Sequence, residues 1–171
     1  DISVNIPADM SEPVEGTMQI TFNWIGDDLD LPLDFRQNSS FLKSIQLNGE
    51  RLPAVVENDH IILPKKKRLS GKNTVDLSFT LGDLSLNRNP EFLYTLFVPD
   101  RASTAMPLFD QPDIKAAYRL KMEIPESWEG MANGPLESTQ IQDGRKILQF
   151  EKTQPFSTYV FAFTAGKFQR K

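Results

Sequence analysis

A single histidine, His60, is the only imidazole among 171 residues, and there is no cysteine. One His excludes multi-His metal centres. Zero Cys excludes disulfides, thiol catalysis and thiolate-held zinc or iron–sulfur sites. His60 lies in Asn58-Asp59-His60-Ile61, at the start of an apolar run. Neighbouring residues of a strand face opposite ways, so Asp59 is badly placed to orient the ring, and a turn or surface role is expected. Ser40 and Ser70 carry no nucleophile elbow. The sequence also lacks HExxH, a Gly-rich phosphate loop and a dinucleotide fingerprint.

The remaining clusters read as surface features. Lys65-Lys66-Lys67-Arg68 is short for a nucleic-acid patch, has no interleaved aromatic platform, and is expected as a solvated loop. Asp27, Asp28 and Asp30 lack the spacing and bidentate Glu of a calcium loop. Asn38-Ser39-Ser40 matches a glycosylation sequon, a pattern near chance frequency at this length. Nineteen Lys and Arg stand against 23 Asp and Glu, a net charge of −4. That balance argues against a dedicated nucleic-acid or anionic-membrane binder. No apolar run approaches the ~20 residues of a membrane-spanning helix. Carboxylates are plentiful, yet none pairs with another on sequence grounds alone.

The elements that must carry these residues follow a period of two. Met18, Ile20, Phe22 and Trp24 alternate with polar residues, as do Val75, Leu77, Phe79 and Leu81. Tyr118, Leu120, Met122 and Ile124 repeat the pattern, and Ile2, Val4 and Ile6 form a shorter run ended by Pro7. Tyr159-Val160-Phe161-Ala162-Phe163 is expected as a strand buried on both faces. Asn48-Gly49, between alternating apolar residues, predicts a type I′ hairpin, and Asp143-Gly144 predicts a second. Helical evidence is confined to Asp110-Lys115, where at most one short turn is expected, with Pro112 near its start. Leu84–Phe97 is expected to be extended or irregular. The expected fold is all-β, with curved antiparallel sheets in a saddle-like sandwich, and residues 1–171 form one domain. A start at Asp1 without Met suggests a piece of a longer protein.

One stretch is more specific. Tyr94-Thr95-Leu96-Phe97-Val98-Pro99-Asp100-Arg101 leads into Met106-Pro107-Leu108-Phe109-Asp110-Gln111-Pro112-Asp113-Ile114-Lys115-Ala116. Ile124-Pro125-Glu126-Ser127-Trp128, Asn133-Gly134-Pro135 and Phe156-Ser157-Thr158-Tyr159-Val160-Phe161-Ala162-Phe163-Thr164-Ala165-Gly166-Lys167-Phe168 follow in order. Over Tyr94–Phe168 the chain resembles the amino-terminal domain of the aminopeptidase N family of zinc metallopeptidases. Physically, Pro107 and Pro112 stiffen a turn, Phe109 anchors it in the core, and Asp110 can cap it through backbone N–H groups.

The resemblance implies a non-catalytic β domain that packs on a downstream catalytic domain and helps wall the substrate pocket. Zinc, held by HExxH and a distant Glu, would belong to that second domain, and this chain would bind no metal itself. Alone the chain would be inactive, whereas the parent would remove amino-terminal residues from peptides. The implied partners are that catalytic domain and peptide substrates. The apolar surface meeting that domain would be exposed, so an isolated piece would tend to self-associate.

Counting back from Asp110, the family's amine-binding Glu falls on Val98, its neighbouring Gln on Leu96 and the turn's Arg on Ser103. A valine cannot accept a hydrogen bond from an ammonium. Substrate contact is therefore expected from Asp100, as local negative charge, and Arg101, as a carboxylate or backbone contact. The plainer reading makes Asp100-Arg101 a loop salt pair. The alternative function is an interaction or scaffold domain whose peptidase partner is degenerate or missing. A weaker third is a sugar-binding sandwich using Trp24 and Trp128. Location is open among secreted, periplasmic and cytoplasmic.

Overall fold

Alternation becomes strand wherever burying one face repays the entropy of extending the chain. The computed structural model describes residues 1–25 and 29–169. Its first half forms β1 (Ile2–Asn5), β2 (Glu15–Asn23), β3 (Leu31–Asp34), β4 (Leu42–Leu47), β5 (Glu50–Arg51), β6 (His60–Leu63) and β7 (Lys72–Thr80). Then come β8 (Leu86–Arg88), β9 (Phe92–Thr95), β10 (Leu120–Pro125), β11 (Glu129–Ala132), β12 (Leu136–Gln142), β13 (Arg145–Phe150) and β14 (Phe163–Gly166).

The strands build an eight-stranded sheet, a four-stranded sheet and the two-stranded pair β3-β6. The large sheet runs β12-β13-β10-β1-β2-β7-β4-β5, and the smaller β11-β14-β9-β8. Its longest ladder is β2 against β7, from Glu15↔Thr80 to Asn23↔Lys72. The expected alternations supply the core between layers, where Phe35 meets Phe79 edge-on at 6.1 Å. One pairing departs from the antiparallel expectation: β1 runs parallel to β10, with Ile2 opposite Leu120. A pair so far apart in sequence leaves no turn signal to read.

Both predicted hairpins form. Asn48 and Gly49 have φ of 54° and 82°, and Asp143 and Gly144 have 51° and 72°. A third such turn, Asn58-Asp59, has φ of 49° and 65° and closes Glu57 onto His60. It lacks glycine, and the short polar side chains of Asn and Asp tolerate the left-handed region instead.

One expectation needs correction. Tyr159 and Val160 lie in a 3-10 turn, Thr158–Val160, and both are exposed. The strand starts only at Phe163, because the Asn133 amide accepts from the Ala162 N–H and donates to the Val160 carbonyl. A side chain here does what a ladder partner would otherwise do. Leu84–Phe97 takes the extended form of its two expected alternatives, supplying β8 and β9 to the four-stranded sheet. Their strands are too short to show alternation. At 110–115, where at most one short helical turn was expected, none forms. Ile114 N–H instead closes a β-turn on the Gln111 carbonyl, at 3.0 Å, and the short 3-10 turns lie elsewhere, as at Asp83–Ser85 and Ala102–Thr104.

The surface clusters resolve simply. Lys65–Lys67 form a 3-10 turn whose Lys65 N–H donates to Asp30, and Lys67 pairs with Glu50 at 2.6 Å. Asn38 caps the Ser39–Phe41 turn by accepting from the Ser40 N–H. Gly26, Asp27 and Asp28 lie outside the described residues. Trp24 and Trp128 are 9% and 2% exposed, which removes the stacking surface a sugar would need. Among the described residues no helix is long and apolar enough to cross a membrane.

Candidate functional site

Past the end of β9 the alternation continues as a loop. Leu96 and Val98 stand 49% and 54% exposed, while Phe97 between them is buried and stacks on Phe161 at 6.4 Å. The Val98–Pro99 peptide is cis. The Arg101 N–H returns to the Phe97 carbonyl at 2.8 Å, so residues 97–101 make one tight turn. Ser85 and Thr104 fasten its base: their hydroxyls lie 2.7 Å apart, and Thr104 donates to the Arg101 carbonyl at 2.7 Å.

The two charges expected to meet substrate are already engaged. The Arg36 guanidinium reaches the Asp100 carboxylate at 3.4 Å, an exposed pair worth at most about 1 kcal/mol. The Arg101 guanidinium donates to the Leu84 carbonyl at 3.3 Å. Asp100 therefore pairs with Arg36 and not with its neighbour Arg101.

Beneath this turn lies a polar knot. The Asp110 carboxylate accepts the Ser103 N–H at 2.9 Å and the Thr158 hydroxyl at 2.6 Å. It thus fastens two 3-10 turns, Ala102–Thr104 and Thr158–Val160, rather than capping its own segment. The Asp34 carboxylate accepts the Asp110 N–H at 2.8 Å and the Gln111 amide at 2.9 Å. Leu108 and Asp34 exchange backbone bonds at 2.9 and 3.0 Å. Pro107 is buried, Pro112 is exposed at the turn, and Phe109 is half-buried with its ring edge-on to Phe22 at 5.1 Å. Asp34 was not legible as a partner, because β3 carries no motif and meets this segment only through tertiary pairing.

His60 joins the same group. Its Nε2 lies 3.3 Å from Asp34, its register partner across β3 and β6, and its Nδ1 lies 2.5 Å from the Asn58 carbonyl. As expected, Asp59 is not its partner. Among the described residues no hydroxyl bonds the ring, so no nucleophile–base pair is assembled there. Nor does any group of three or more His, Cys, Asp or Glu among them suit a metal ion.

Tyr118 closes the motif. Its ring stacks between Phe156 and Phe161, 4.8 Å from each, and its buried hydroxyl has no partner among the described residues. Burial, then the nearby Asp110 charge, push its pKa up to about 12. The folded state thus holds the proton while an unfolded tyrosine loses it near pH 10. Stability is full below pH 10 and falls as pH rises from 10 to 12. Tyr118→Phe removes an unsatisfied buried hydroxyl, so it should raise stability by about 1 kcal/mol at pH 7 and flatten that alkaline fall. Urea unfolding at several pH values checks both.

Residues 83–160 match the peptidase M1 N-terminal domain family. The chain thus resembles the amino-terminal domains of the M1, aminopeptidase N-like peptidases. It is 28% identical over 152 residues to tricorn protease-interacting factor F2 of Thermoplasma acidophilum, covering 84% of this chain and 19% of that protein. It is 31% identical to aminopeptidase N of Streptomyces lividans over 137 residues, 72% of this chain and 15% of that protein. Among solved structures, the fold matches Legionella pneumophila aminopeptidase A, seen there with aspartic acid, at a TM-score of 0.84. That match has 22% identity and covers 99% of this chain and 21% of the other. An M1 zinc metallopeptidase variant from Deinococcus radiodurans matches at 0.75, with 20% identity over 96% of this chain and 40% of its own. The chain thus spans about a fifth or less of those two curated relatives, and the family-matched segment includes the 96–101 turn, Asp110 with Ser103 and Thr158, and Tyr118, while Asp34 lies outside it.

Proposed function

We propose that residues 1–171 are one non-catalytic domain of a zinc-dependent aminopeptidase, and that the 96–101 turn forms part of its substrate-pocket wall. The carrying observation is the turn itself: apolar Leu96 and Val98 are held in the open while Phe97 and the Asp110 knot fix the backbone beneath them. A wall that positions a substrate needs that rigidity. The zinc and the group that activates water would come from a catalytic domain outside these residues, which is the domain's proposed partner. Peptides would be the substrates.

Val98 cannot accept from a substrate ammonium, so Asp100 is the carboxylate in the turn assigned to that end of the substrate. Arg36 offsets part of its charge. Arg101, held on the Leu84 carbonyl, is assigned to keeping the turn's shape. In the full-length parent, Asp100→Ala should lower kcat/KM about tenfold on free-amine peptides and leave the melting temperature unchanged. An unchanged kcat/KM would remove Asp100 from the substrate site. The exposed apolar Val98 also favours a second reading, an interaction domain that binds peptides or proteins without hydrolysis. A parent that binds peptides but releases no amino acid would support that one.

A further inference from the structure

β12 ends the eight-stranded sheet, and its outer side has no strand partner among the described residues. All seven of its residues are exposed, including Ile141 at 60%. The two-residue Asp143-Gly144 turn makes Gln142↔Arg145 a hydrogen-bonded pair, and Gln140↔Ile147 is the next such pair along. Thr139 and Ile141 therefore turn their N–H and C=O groups away from β13. These are four obligatory hydrogen-bonding groups along one open edge.

Natural sheets blunt such edges with charge, proline or extreme shortness. The opposite edge of this sheet does so, since β5 is two residues long and both, Glu50 and Arg51, are charged. β12 has neither a charge nor a proline from Ser138 to Gln142. We propose that this edge pairs antiparallel with β12 of a second copy of the chain, about a twofold axis at Gln140, joining the two large sheets edge to edge.

The occupant is a second copy because the outward groups repeat on themselves under that axis. Thr139 meets Ile141 of the second copy, and Ile141 meets Thr139 of the second copy. Each pair exchanges two backbone bonds, and each stacks β-branched side chains across one face. Gln140 meets its own mate on the other face, where the two amides can bond. At the ladder ends Glu137 lies opposite Asp143 of the second copy. That like-charge pair keeps the dimer weak and makes it tighter as salt is raised.

The absence of cysteine makes the test clean. Gln140→Cys introduces one thiol at a non-hydrogen-bonded pair, where Cα atoms lie about 4.5 Å apart, within disulfide reach. Under a mild oxidant that takes two electrons and two protons from the thiol pair, this variant should cross-link about tenfold faster than Glu50→Cys on the opposite edge. Light scattering of the unaltered chain should rise from monomer to dimer mass between about 1 µM and about 1 mM. Thr139→Pro removes an outward N–H without costing a β12–β13 bond, and should leave a folded monomer by circular dichroism. Thr139→Lys keeps the backbone and should have the same effect through charge. A chain that stays monomeric throughout, equal cross-linking of the two cysteine variants, or a dimer that survives Thr139→Lys would overturn the proposal.

Discussion

Asp110→Ala is expected to cost this domain about 3–5 kcal/mol. The carboxylate takes the Ser103 N–H and the Thr158 hydroxyl at 2.9 and 2.6 Å, and both residues are buried. Hydrogen bonds to a charged acceptor contribute about 1.5–3 kcal/mol each, and alanine leaves two buried donors with no acceptor. Water can restore part of this only by opening the 102–104 turn. For a domain of this length the melting temperature should fall by roughly 10 °C or more. Asp110→Asn keeps one acceptor oxygen and should lose about half as much. Calorimetry of the three proteins decides it. A shift below about 2 °C for the alanine variant would mean that the knot does not hold the turn.

Gly82→Ala is the second large effect, and its cause is space. The glycine has φ −77° and ψ 142°, which any residue can adopt, so left-handed geometry is not the reason it is glycine. A Cβ there would sit 2.1 Å from the Thr104 carbonyl oxygen and 2.1 Å from the Gln37 amide nitrogen. Those two atoms are themselves bonded at 2.6 Å, and the Gly82 N–H donates to the Ala105 carbonyl at 3.1 Å. The methyl must therefore displace the backbone of the 102–104 turn. Overpacking of this kind costs about 3 kcal/mol, more where a hydrogen bond is lost as well. Amide exchange should show protection lost first around Arg101, Thr104 and Ala105, before the β2–β7 ladder opens. A variant with unchanged exchange at those amides would contradict the packing described.

The strands were legible because their cause is local. Met18 to Trp24, Val75 to Leu81 and Leu120 to Ile124 each state their buried face in period two, and Asn-Gly and Asp-Gly state their turns. The parallel β1–β10 pair left no such trace. Nor did the replacement of a strand partner by the Asn133 amide, which turned Tyr159 and Val160 outward. The candidate site divides the same way. Pro107, Phe109, Asp110 and Pro112 stood out through the motif they share with the family. The partners that give Asp110 its effect, Ser103, Thr158 and Asp34, come from three separate stretches of chain. Arg36, which meets Asp100, lies far upstream in a segment without a motif. The Leu84 carbonyl, which accepts from the Arg101 guanidinium, likewise sits in a segment without a motif.

Zinc content and aminopeptidase activity, measured side by side on residues 1–171 and on the full-length parent, separate a pocket-wall domain of a zinc peptidase from a binding domain. The parent should carry about one zinc per chain and release amino-terminal residues from peptides, and the 171-residue domain should do neither. A parent without bound zinc or peptide hydrolysis would contradict the pocket-wall reading and leave a binding or scaffold domain. Hydrolysis by residues 1–171 alone would contradict it as well, from the opposite side.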